Sequence, residues 1–106
     1  MDELFTIEYY ELDTGKCPYL EWENDLPVEL RAQIRKRLNR VRLGNFGDIA
    51  YIENSIFELR IHAGAGYRIY YAMKANKIVI LLCAGSKRSQ ARDIAKAKKY
   101  WQNLGG

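Results

Sequence analysis

From Phe57 to Arg88 the chain reads FELRIHAGAGYRIYYAMKANKIVILLCAGSKR, a stretch in which apolar and polar positions alternate and then merge into one apolar run. In FELRIH, Phe57, Leu59 and Ile61 alternate with Glu58, Arg60 and His62, the period of two that marks a strand with one buried face. In YRIYYAMK the buried set is Tyr67, Ile69, Tyr71 and Met73, which assigns Arg68, Tyr70 and Lys74 to the solvent side. The intervening AGAG reads as a hairpin loop. Residues opposite one another in an antiparallel pair share a face. The two polar sets therefore coincide only when paired numbers sum to an even value, as with Arg60 opposite Arg68. That register requires an odd loop of three or five residues, and Gly64 and Gly66 supply the positive φ angles such loops need. After a turn at Lys74–Lys77, Ile78–Cys83 is apolar throughout and predicts an interior strand covered on both faces, broken at Gly85.

The same reading extends outward. Leu4, Phe5, Ile7 and Tyr9 predict an N-terminal strand that closes before the Asp13-Thr14-Gly15 turn. Pro18 opens a short helix running to about Asn24, with Tyr19 and Trp22 on its buried side. Asp25 as N-cap, Pro27 in the first turn, the stripe Leu30, Ile34, Leu38, Val41 and a stop at Gly44 define a second helix. Asp48–Glu53 reads as a strand turning at Asn54-Ser55 into FELRIH. Ser89 caps a last helix whose stripe is Ile94, Ala97, Trp101 and Leu104, with Asp93 near its positive end. The order β, α, α, four closely connected strands, α predicts an α+β domain. Its sheet of about five strands is mostly an antiparallel meander, with two N-terminal helices and a C-terminal helix packed against it.

The chain has 106 residues, enough for one domain and its core. No apolar run approaches the span of a bilayer. The start, MDELFTIEYY, lacks the basic n-region and long h-region of a secretory signal, so a cytoplasmic protein is expected. Cys17 and Cys83 are expected to be reduced thiols, and His62 is the only histidine, so neither a metal site nor a cofactor is expected. Charge is divided unevenly. Residues 1–30 hold nine acids against Lys16 alone, whereas residues 31–106 hold sixteen bases and four acids. The second helix carries Arg31, Arg35, Lys36, Arg37, Arg40 and Arg42 after its single acid, Glu29. Such a face is expected to bind a polyanion such as nucleic acid, the alternative being a plain solvated face or neutralisation by the acidic N-terminal part.

Two arginines adjacent on one sheet face repel unless an anion or Glu58 lies between them. Arg60 and Arg68 therefore suit a phosphate, or else form a salt-bridged outer surface with Glu58. RNA cleavage without a metal needs a base for the 2′-hydroxyl proton, donors for the phosphate charge and a proton for the leaving oxygen. The forked donors of Arg68 and Arg60 fit the second role. For the base, Glu58 and His62 are the candidates, and Glu58 is preferred because it shares the face of Arg60. His62 adjoins the loop and reads as an RNA contact or as a plain surface histidine. Tyr70 reads as a base-stacking residue or as an ordinary strand tyrosine.

Several strings are familiar jointly: GNFGD at 44–48, ELRIH at 58–62, GYRIYY at 66–71, LLCAGSK at 81–87 and SQARDIAKAKKYW at 89–101. They resemble the RelE/ParE superfamily of type II toxin–antitoxin toxins, and within it the phage-derived HigB-like addiction-module killer proteins. The resemblance runs from the N-terminal strand through LPVELRAQI to the last helix. It implies a RelE-like fold and a metal-independent, ribosome-dependent mRNA endonuclease. It implies as partners the ribosome, mRNA and a cognate helix-turn-helix antitoxin. By position it makes Arg68 the catalytic arginine, with Arg60 and Lys87 as further basic residues of the site; Arg88, beside Lys87, is expected to contact RNA. Glu58 stands where RelE has another base, and the tyrosine near the start of RelE's last helix has no match here. These departures keep open a ParE-like gyrase inhibitor and an inactive module that only binds a partner.

Overall fold

The period-two segments form a sheet, and the helical stripes cover it on both sides. The computed structural model describes residues 3–106. Its elements are β1 (Thr6–Tyr9), α1 (Pro18–Asn24), α2 (Val28–Arg42), β2 (Ile49–Glu53), β3 (Ile56–Ile61), β4 (Tyr67–Lys74), β5 (Ile78–Ser86), a 3-10 turn (Lys87–Ser89) and α3 (Gln90–Asn103). The strands lie in the order β1-β5-β4-β3-β2. From β2 to β5 the sheet is the expected antiparallel meander. The first strand departs from it: β1 runs parallel to β5, with Thr6 beside Ile78 and Tyr9 beside Leu81, so the sheet is mixed. A parallel partner needs a long crossover, and α1, α2 and the meander that separate the two strands supply it.

Arg60 does lie opposite Arg68, and the hairpin loop has the longer of the two expected lengths, His62–Gly66. Gly64 and Gly66 both hold positive φ. One face of the sheet carries Leu59, Ile61, Ile69, Tyr71, Val79 and Leu81, packed against Tyr19 of α1 and Ile34, Leu38 and Val41 of α2. The other face was expected to be solvated and is not. Ile56, Tyr70, Ala72, Ile80 and Leu82 lie there beneath Ala97 and Trp101 of α3. Tyr70 and Glu58 are both fully buried. Trp101 also ties the helix to the β2–β3 turn, its Nε1 donating to the Asn54 carbonyl at 2.8 Å. Three layers result, and polar residues of the α3 face collect at the end of the sheet that the helix begins to uncover.

Two boundaries differ from expectation for physical reasons. Pro27 is the N-cap of α2, with extended backbone, while Asp25 is the C-cap of α1. Gly85 does not break β5, which runs through it to Ser86. Glycine is needed there for space: a Cβ would stand 2.0 Å from Asp93 Oδ2 and 2.6 Å from Ser89 Oγ. The Asp93 carboxyl is buried under the first turn of α3, where Ser89 Oγ donates to it at 2.5 Å. Gly85→Ala is therefore expected to lift α3 from the strand at a cost of about 1–3 kcal/mol. Thermal unfolding followed by circular dichroism checks this, each kcal/mol lowering Tm by roughly 4–8 °C in a domain of this size.

Candidate active site

The β3–β4 hairpin and the exit of β5 meet around an open cavity of about 380 Å³. Arg60, Arg68, Lys87 and His62 line it together with the loop Ala63–Gly66. The backbone N–H of Lys87 donates to the Gly66 carbonyl at 3.1 Å, which holds the end of β5 against the hairpin loop. Three basic residues from three segments are thereby brought to one rim. Arg88, though exposed, does not line it.

Behind the rim lies Glu58. One carboxylate oxygen accepts from Arg60 Nε at 2.9 Å and from Arg68 Nη1, and the other accepts from Gln90 Nε2 of α3 at 2.9 Å. Directly opposed guanidinium groups are held together by this shared carboxylate, which offsets their repulsion. Glu58 is therefore the anion between the arginines and does not lie on an exposed face. Fully enclosed, with both oxygens occupied, it does not present a lone pair to the cavity. Its hydrogen bond also pushes the Arg60 guanidinium further up from its already high range.

A second acid braces two of the lining residues from behind, one that the sequence pattern placed at the start of a strand and not in the site. Asp48, in the loop before β2, accepts from His62 Nε2 at 2.6 Å and lies 3.6 Å from Arg60 Nη1. The hydrogen bond from His62, followed by the charges of Arg60, His62 and Arg37, holds its carboxyl below the usual range. Arg37 of α2 fixes the backbone of this loop, donating to the carbonyls of Phe46 at 3.0 Å, Arg60 at 2.7 Å and Asp48 at 2.9 Å. Gly47, at φ +70, lets that guanidinium pass, since a Cβ would stand 2.9 Å from it.

The basic face of α2 is mostly spoken for. Arg31 donates to the carbonyls of Asn24 and Leu26, Arg35 pairs with buried Glu23 at 3.3 Å, and Arg42 donates to Asn39. Only Lys36 and Arg40 of the six bases stand exposed with no ion pair or side-chain hydrogen bond among the described residues. None of the six lines the cavity. An uninterrupted polyanion-binding face on this helix is thus reduced to those two.

Tyr70 is likewise not a base-stacking residue. Its ring is enclosed under α3, and its hydroxyl is buried without a hydrogen-bond partner. Burial first, then the nearby charges of Glu58 and Asp93, push the phenol well up from its ordinary value. An unpaired buried hydroxyl costs stability. Tyr70→Phe is expected to raise the free energy of unfolding by about 1 kcal/mol, read as a higher urea midpoint at unchanged slope.

Cys83 is excluded as a nucleophile, because burial and then Asp93 push its thiol up to about 12. Among the described residues no group of three or more His, Cys, Asp or Glu is placed to hold a metal ion. Nor is any helix among them long and apolar enough to cross a membrane.

Fold and site define a three-layer α+β protein with a cationic recess at one end of its sheet. The chain belongs to the phage-derived Gp49-like protein family (DUF891), whose model matches residues 21–102, from α1 to the end of α3. An uncharacterized protein of Haemophilus influenzae (strain ATCC 51907 / DSM 11121 / KW20 / Rd) is 48% identical over 78 residues, 74% of this chain and 79% of that protein.

Proposed function

We propose that this chain is the toxin of a type II toxin–antitoxin pair, of the RelE/ParE superfamily, and cleaves mRNA on the ribosome without a metal. The observation that carries the reading is the shared grip of Glu58 on Arg60 and Arg68 at the mouth of a cavity that also holds Lys87. Arginine donors left over from Glu58 suit the non-bridging oxygens of a phosphodiester. Lys87 adds a third positive charge where the transition state gains negative charge. Lys36 and Arg40 remain available for ribosomal RNA phosphates. In this reading the chain acts in the cytoplasm and is held inactive by a helix-turn-helix antitoxin.

Primer extension on a translated message, with and without ribosomes, tests it. Cuts that appear only with chain and ribosomes together are expected; an intact message under both conditions sinks the reading. The enclosure of Glu58 favours one competitor, a ParE-like inhibitor of DNA gyrase that needs no proton acceptor. Gyrase-dependent DNA breaks alongside uncut message are its signature.

A further inference from the structure

The cavity contains a proton-accepting group, and it is not the acid in the arginine clamp. We infer that His62 is the general base of this site and that Asp48 is its positioning residue, the pair drawing the proton from the ribose 2′-hydroxyl of RNA. The inference rests on the RNA-cleaving reading above.

The acid beside His62 decides which ring nitrogen carries hydrogen. Asp48, held below the usual carboxylate range by His62 and Arg60, is ionised at neutral pH and can only accept. The 2.6 Å contact therefore requires a hydrogen on His62 Nε2. In the neutral ring the lone pair then lies on Nδ1, which has no hydrogen-bond partner among the described residues. The side chain is 74% exposed and lines the same cavity as Arg60, Arg68 and Lys87. A phosphodiester held by the arginines thus lies within the recess that the imidazole borders.

The remaining charged groups around His62 serve the same tautomer. Arg60, on the strand that leads into His62, braces the other oxygen of Asp48 at 3.6 Å. Arg37, from α2, donates to the Asp48 carbonyl at 2.9 Å. Arg68 on β4 and Lys87 after β5 line the same cavity as the imidazole. A carboxylate that orients the ring and stabilises the imidazolium as it forms is the established logic of acid–histidine pairs.

The step balances without a co-reactant. The 2′-hydroxyl proton moves to Nδ1, and the freed 2′-oxygen attacks phosphorus. The bond from phosphorus to the 5′-oxygen breaks, and that oxygen takes a proton from water. A 2′,3′-cyclic phosphate and a 5′-hydroxyl result, and the imidazolium returns its proton to solvent. The nucleophile belongs to the substrate, so a deoxyribose at the cut position is refused.

The test measures single-turnover cleavage of a ribosome-bound message from about pH 5 to 8, the window in which imidazoles change charge. The wild-type chain is expected to lose rate as the pH falls. His62→Gln is expected to lose about 10²-fold or more, to flatten that limb, and to keep the wild-type circular dichroism spectrum. Asp48→Asn removes the negative partner, which lowers the basicity of the ring, so its acid limb moves to lower pH while the maximal rate falls. If the wild type cuts and His62→Gln cuts within twofold with the same pH limb, the inference fails and the nuclease reading stands. If the wild type does not cut at all, both fail. If His62→Gln proves misfolded, the shift of the limb in Asp48→Asn decides, and an unmoved limb overturns the inference.

Discussion

Replacing Arg68 by alanine leaves a translated message uncut: the expected loss is about 10²–10³-fold in cleavage rate, near 3 kcal/mol of transition-state stabilisation. Arg68 projects from the interior strand of the meander, its side chain only 15% exposed, and its position is fixed by the ladder on both sides of β4 and by Glu58. A donor so placed needs no rearrangement when charge develops on the phosphate. Arg68→Lys keeps the charge and loses the fork, and is expected to recover only a small part of the rate. Glu58 still accepts from Arg60 and Gln90 in either variant, so the circular dichroism spectrum stays that of the wild type. Primer extension and quantified single-turnover cleavage read the loss directly. Cleavage by Arg68→Ala within a few-fold of the wild type removes the basis of the proposed function.

The largest loss of stability belongs to Glu58→Ala. Three donors lose their acceptor at once, and two guanidinium groups remain directly opposed on adjacent strands. Removing one member of a buried ion pair costs about 3–5 kcal/mol. The lower end applies here, since the Arg60 side chain is 39% exposed and can rehydrate. Urea unfolding reads this as a lower midpoint. Glu58→Gln keeps shape and one carbonyl acceptor and is expected to fall between alanine and wild type. Its activity carries further information. A glutamine at a general base abolishes cleavage in a folded protein, whereas at a positioning anion it leaves a measurable rate.

The register between β3 and β4 was legible because alternation fixes it. Phe57, Leu59 and Ile61 share a face with Ile69 and Tyr71 only if paired numbers sum to an even value, and Arg60 opposite Arg68 meets that condition with two glycines completing a short loop. The same arithmetic does not reach Asp48. The tight turn at Asn54-Ser55 pairs Glu53 with Ile56, and continued without interruption this places Asp48 across from a residue of the opposite face. A bulge between Tyr51 and Glu53 shifts the register by one and aligns Ile49 with Leu59, which brings Asp48 beside Arg60. Nothing in the local composition announces that bulge.

Tyr70 was misread because a strand with polar residues at one end resembles a strand with one wet face. Arg60 and His62 are polar because they border the cavity, and Glu58 because it anchors the arginines from behind, while Ile56 and Ala72 on the same side lie under α3. The parallel placement of β1 was beyond the rule that short connections join antiparallel neighbours, which governs only strands adjacent in sequence. The basic helix misled for a related reason. Arg31 and Arg37 are spent on carbonyls and Arg35 on Glu23, acceptors that a helical pattern does not reveal.

The parallel alignment of β1 with β5 reaches into how the molecule is made. The first strand has its only sheet neighbour in the last, so it waits unpaired until residues 78–86 exist. Gln90, which closes the grip on Glu58, comes later still. Contacts this distant along the chain form late, because loop closure must precede them. During synthesis, which runs N-terminus first, neither Lys87 nor the completed clamp is present until residues 87–90 have emerged. A chain that stops short of Lys87 is thus without the recess, and Gln90 sets the moment at which the grip behind it closes.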